Sequence, residues 1–118
     1  MSSKNPAQRL RDILENIGAI DEFTNGMDFA AFVSSRRTTY AVTRALEIIS
    51  EASRRLPDDL KARYPALDWQ AIAAAGNVYR HEYENIDDSL VWHTAKHSLG
   101  PLDAAVRAEL ERLADTAR

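Results

Sequence analysis

The sequence predicts an all-α protein, an up-and-down bundle of four main helices with short extra helical turns. Three observations carry this. Apolar residues recur at steps of three and four along most of the chain. Alternating β-branched runs and two-residue hairpin turns are absent. The breaks between periodic segments hold Asn, Asp, Gly or Pro, the residues that start and stop helices. With 118 residues, 45% of them hydrophobic and 28% charged, and only four glycines and four prolines, the chain reads as one ordered domain over 1–118.

The first helix lies in "NPAQRLRDILENIGAIDEFTNG", with Asn5 as N-cap, Pro6 at the first helical position and Gly26 at the C-terminal cap. Leu10, Ile13, Leu14, Ile17, Ile20 and Phe23 form its inward face. "MDFAAFVSS" gives a short connector capped by Asp28, with Phe29 and Phe32 pointing inward. The longest helix, "SRRTTYAVTRALEIISEASRRL", buries Val42, Ala45, Leu46, Ile49, Ala52, Ser53 and Leu56 and stops at Pro57.

"PDDLKARYPALD" supplies one short helical turn and a loop, after which Asp68 caps a helix starting at Trp69. On that helix Trp69, Ile72, Gly76, Tyr79 and Tyr83 make the core stripe. Asp87 or Asp88 caps the last segment, where Val91, Ala95, Leu99, Leu102, Val106, Leu110 and Leu113 stay in phase across Gly100 and Pro101. That phase predicts one kinked helix.

Composition narrows the function. Without cysteine there are no disulfides, thiolate zinc sites or cysteine nucleophiles, and an intracellular setting is expected. The N-terminal stretch has no apolar signal core and no segment approaches bilayer length, so a cytoplasmic protein without membrane contact is expected. A net charge of −3 argues against strong nonspecific nucleic-acid binding but leaves room for a local basic patch.

The polar concentration is "GNVYRHEY", residues 76–83. At about 100° per residue His81 falls opposite the core stripe and near Asn77, with Arg80 on the flank. Ala73, Ala74 and Gly76 leave room for close approach, so a cleft or a homodimer interface is expected on this face. The competing reading makes Arg80 and His81 solvated residues near a helix C-terminus, where cations offset the macrodipole.

"SEASRRL", Trp69, "GNVYRHEYENID" and the Val91–Trp92 pair together resemble the HepT-like family of the HEPN superfamily, over nearly the whole chain. The resemblance implies a dimeric helical bundle with a ribonuclease cleft between subunits, and no cofactor. It also implies a toxin–antitoxin pair in which a minimal nucleotidyltransferase adenylylates the tyrosine two residues after the histidine, here Tyr83. Family ribonucleases carry an arginine separated from the histidine by four to six residues, and the arginine usually stands directly before the asparagine. That position is Gly76 here, and no arginine stands at that distance before His81, His93 or His97.

Two readings follow. In one, His81 is the base that takes the 2′-hydroxyl proton, Arg80 is the phosphate clamp and Asn77 orients the imidazole or binds phosphate. In the other, the protein is an inert dimer that binds the nucleotidyltransferase. Arg36, Arg37 and Arg44 form a candidate RNA-contacting group, beside Arg9 and Arg11, or a solvated face. Glu51 either pairs with Arg80 or orients His81 from an adjacent helix, or it pairs with Arg54 or Arg55 at helical spacing. His93 and His97 have metal-ligand spacing but no third ligand pattern, so no metal site is assigned. Glycine-rich phosphate loops, nucleophile elbows and paired catalytic carboxylates are absent.

Overall fold

The structure, a computed structural model, describes residues 5–78 and 87–116, with the side chains of all of these except Asn77 and Val78. These residues form seven helices: α1 (Ala7–Thr24), α2 (Phe29–Ser34), α3 (Arg36–Arg54), α4 (Asp58–Ala62), α5 (Trp69–Val78), α6 (Asp88–His97) and α7 (Gly100–Thr116). The fold is an all-α bundle. Helix α3 is its axis: α1 and α5 pack most extensively on it, α2 and α6 also touch it, and α7 packs against α1.

α3 holds that place because small and apolar residues cover most of its circumference. Val42, Ala45, Leu46, Ile49 and Ala52 are buried, and so are Thr39, Thr43, Ser50 and Ser53. A buried Leu or Ile contributes roughly 1.5–3 kcal/mol, while the short hydroxyl side chains let neighbouring helices come close. Two hydroxyls return to their own backbone, Thr39 Oγ1 donating to Arg36 O at 2.9 Å and Ser53 Oγ to Ser50 O at 2.8 Å. Ser35 begins the helix by accepting from the Thr38 N–H at 3.2 Å.

Several expected elements shift, each for a local reason. Asn5 does not cap α1 in the usual position; its Oδ1 accepts from the Ala7 N–H at 3.0 Å, and the helix begins one residue after Pro6. Gly26 has φ 78°, the left-handed geometry that lets the chain turn after α1. Phe23 is not inward but 40% exposed. The stripe Leu10, Ile13, Ile17, Ile20 continues in a step of four to Thr24, whose buried hydroxyl donates to Ile20 O at 2.8 Å. Phe29 is likewise 42% exposed, because Phe32 takes the inward position on α2.

The predicted single kinked helix is two helices, α6 and α7, separated by Ser98 and Leu99. In a continuous helix the Pro101 ring would collide with the carbonyl of His97, four residues back, and α6 ends at His97. The Asp103 N–H then bonds Leu99 O at 2.8 Å to open α7. The apolar phase survives because Leu99 and Leu102 are both buried across the break.

Nothing in the sequence reading anticipated Glu109, which is fully buried on the inward stripe of α7. Arg63 donates to it at 2.6 Å, Arg112 at 2.9 Å and the Tyr64 hydroxyl at 2.9 Å, tying the α4 turn to α7. Burial alone would raise the Glu109 carboxyl, but the bonds from Arg63, Arg112 and Tyr64 outweigh it and hold the pKa at about 2.

Candidate functional site

The candidate motif is carried by α5. Asp68 accepts from the Ala71 N–H at 3.0 Å and fixes the start of the helix, as its sequence position predicts. The Trp69 indole N–H donates to the carbonyls of Lys61 and Tyr64, both at 3.1 Å, anchoring the first turn to the end of the α4 segment. Ile72 and Ala75 pack against the core. They border an apolar cavity of about 230 Å³ that also touches Leu46, Ile49, Leu90 and Leu102.

Two contacts set α5 on α3. The Arg54 guanidinium donates to the Ala73 carbonyl at 2.7 Å. One turn on, Gly76 meets α3 so closely that a Cβ built on it would stand 3.1 Å from Ser50 Cβ, 3.3 Å from Ser50 Oγ and 3.7 Å from Glu47 Cα. Position 76 is a helix-packing position, directed at α3 as the stripe predicts. A Cβ there would ask Ser50 to give by a few tenths of an ångström.

Asn77 is the last candidate whose backbone is described, in the final turn of α5. Arg80, His81 and Tyr83 lie outside the described residues, as does Tyr79 of the predicted stripe. Glu51 takes the helical pairing: its carboxylate binds Arg54 and, at 2.8 Å, Arg55. The Arg55 hydrogen bond lowers the Glu51 pKa, with Arg54 contributing.

The proposed RNA-contacting arginines do not form one group. Arg36 and Arg37 are exposed in the first turn of α3, with the Arg36 guanidinium 5.5 Å from the centre of the Tyr40 ring. Arg44 stands two turns later, ion-paired with Glu47 at 3.5 Å, in a groove shared with Arg9 and Asp12 of α1. His93 and His97 are exposed on α6 with ring centres 5.0 Å apart. Among the described residues no cluster of three metal-ligating side chains exists.

The profile of one protein family, described as Ribonuclease HepT-like, matches residues 13–109, from α1 to the last turns of α7. The chain belongs to the HepT-like family. It is 39% identical over 93 residues to "Probable ribonuclease HepT" of Thermococcus cleftensis, covering 79% of this chain and 84% of that one. A protein of Methanocaldococcus jannaschii named "Putative RNase" is 36% identical over 99 residues, 84% of this chain and 91% of its own. Another so named, from Caldanaerobacter subterraneus subsp. tengcongensis, is 29% identical over 109 residues, 92% of this chain and 97% of its own. No solved structure matches.

The packing of Gly76 gives the departure from the HepT-like arginine pattern a structural consequence. Gly76→Ala restores helix propensity worth about 1 kcal/mol and asks Ser50 to yield only slightly, so little net change in stability is expected. Gly76→Arg, which places there the arginine that the family resemblance implies, is expected to destabilise by about 1–3 kcal/mol through overpacking against α3. Thermal unfolding of the two variants followed by circular dichroism checks this. An arginine variant as stable as the alanine variant would show that α5 can move off α3 without cost.

Proposed function

We propose that this protein is a ribonuclease, the toxin of a toxin–antitoxin pair, working as a homodimer and silenced by a minimal nucleotidyltransferase. The observation that carries the reading is membership of the HepT-like family together with Asn77, His81 and Tyr83 in that order and spacing. His81 takes the proton of a ribose 2′-hydroxyl, the 2′-oxygen bonds to the adjacent phosphorus as the bond from phosphorus to the 5′-oxygen breaks, and the products are a 2′,3′-cyclic phosphate and a 5′-hydroxyl that takes its proton from water. Arg80 bears on the phosphate oxygens, where negative charge accumulates. Because position 76 is glycine, the cation has to come from elsewhere, and Arg80 is the arginine next to the base. Asn77 holds the imidazole or a phosphate oxygen. Cleavage of RNA by the wild type and not by His81→Ala tests this.

Glycine at position 76 also supports a second reading. With no arginine separated from His81 by four to six residues, the chain is an inert dimer that serves as the binding partner of the nucleotidyltransferase. Background-level cleavage by both wild type and His81→Ala selects it.

Regulation acts at Tyr83. Co-expression with the nucleotidyltransferase is expected to add adenylate there, placing negative charge beside Arg80 and His81 and occupying the position of the RNA phosphate. Mass spectrometry of the co-expressed protein checks it, and modification that persists in Tyr83→Phe would move the site to another residue. The dimer itself is expected at micromolar concentration; a monomeric mass by light scattering would remove it.

A further inference from the structure

Two stretches of the chain, residues 29–46 and 89–102, contain none of its 18 acidic residues, although the net charge is −3. The fold brings them together: α2 packs on the start of α3 and on α6, and the Trp92 ring lies 5.0 Å from Phe32 and 6.2 Å from Phe29. Three cations stand at this end of the bundle, Arg36, Arg37 and Lys96. Arg44, Arg54, Arg55, Arg63, Arg107 and Arg112 all hold carboxylates, while Arg9, Arg11 and Lys61, the other described cations without an ion pair, lie on α1 and α4 away from this end. No carboxylate among the described residues pairs with Arg36, Arg37 or Lys96. Arg36 and Lys96 lie instead over aromatic rings, Arg36 over Tyr40 and Lys96 5.3 Å from the centre of Trp92.

The exposed large apolar side chains of the described residues are Phe23, Phe29, Val33 and Tyr40. All four fall at the same end, Phe23 next to Thr24, whose hydroxyl accepts from Lys96 at 3.4 Å. Acidic groups stand at its margin: Asp28 caps α2, the exposed Glu22 precedes Phe23, and Asp21 and Asp103 line a groove with Lys96 on the α1 and α7 side.

Cations without carboxylate partners beside exposed aromatic side chains suit a single strand of nucleic acid, whose unstacked bases can lie on the rings while its phosphates meet the cations. A duplex presents its phosphates but keeps its base faces covered. We infer that this end of the bundle is a binding platform for single-stranded RNA, with Phe29 and Tyr40 as base-stacking residues and Arg36, Arg37 and Lys96 as phosphate contacts. The inference rests on the ribonuclease reading and names the substrate class for it. Arg44, occupied by Glu47, is not part of the platform.

The test is fluorescence anisotropy with a short 2′-O-methyl RNA, which offers no free 2′-hydroxyl to attack and so separates binding from cleavage. Wild type is expected to bind the single strand more tightly than the corresponding duplex. Arg36→Gln with Arg37→Gln should weaken binding about tenfold and reduce the salt slope by about 1.4. Phe29→Ala with Tyr40→Ala should weaken it at least about fivefold and leave the salt slope unchanged. Circular dichroism confirms that each variant is folded. Equal affinity for single strand and duplex, or wild-type affinity in both double variants, would overturn the platform. So would variants that lose dimer mass or nucleotidyltransferase binding while keeping RNA affinity, since a protein would then be what covers this surface. A wild type that binds through these residues but cleaves no RNA would support the platform and remove the ribonuclease reading alone.

Discussion

RNA cleavage by His81→Ala is expected to fall by about 10²–10⁴-fold, the usual contribution of a positioned general base. Arg80→Ala should lose about 10²–10³-fold if it supplies the charge that position 76 cannot, and Arg80→Lys should recover only part of it, because an ammonium lacks the planar fork that fits phosphate oxygens. Replacing the scissile ribose with deoxyribose should stop cleavage by the wild type without stopping binding. Multiple-turnover cleavage of a labelled RNA, with unfolding curves to show that the variants are intact, measures all of these. If Arg80→Ala cleaves like the wild type while His81→Ala does not, the phosphate charge is stabilised by a group other than Arg80.

Glu109→Gln is expected to destabilise the fold by about 3 kcal/mol, the lower part of the range for breaking a buried ion pair, with a fall in melting temperature on the order of 10 °C. The lower part applies because Arg63 and Arg112 are 34% and 45% exposed and can turn to water once the carboxylate is gone. The pH dependence has a definite sign. With its folded pKa held at about 2, below the ordinary 4.5, Glu109 contributes fully above pH 4.5, and its contribution is lost as pH falls from there toward 2. Urea titrations across that window should show the wild type losing stability more steeply than Glu109→Gln. Parallel curves would mean that the carboxylate does not hold its charge through Arg63, Arg112 and Tyr64.

Helix positions were legible in the sequence because periodicity and capping are local. Asp28, Ser35, Asp68 and Asp87 each accept from a backbone N–H of the helix that follows. What was not legible depends on where one helix meets another. Phe23 and Thr24 compete for one inward position, and only the packed bundle decides for the smaller, polar residue. Glu109 reads as a surface residue until Arg63 and Tyr64, some forty-five positions earlier, are placed against it; Arg112 three residues on was the only local signal. Pro101 was seen, but in-phase leucines on either side concealed that its ring ends one helix before another begins. For the candidate site, the sequence put Gly76 on the packed stripe, and the structure shows the side of α3 it meets. The separation of Arg44 from Arg36 and Arg37 came only with the structure, since Glu47 and α1 claim Arg44.

The close approach of Gly76 to Ser50 couples two positions 26 residues apart into a single steric allowance. Volume added at one must be surrendered at the other, so Ser50→Gly should make room for Gly76→Ala and turn that substitution from neutral to stabilising. The two changes should therefore be non-additive, with a coupling energy of about 0.5–1 kcal/mol in a double-mutant cycle. Across HepT-like proteins, a bulky residue at the first of these positions should be accompanied by glycine or alanine at the second, or by a wider spacing of the two helices. Whether a lineage can hold arginine at position 76 would then be decided on a neighbouring helix, at a residue buried in the bundle.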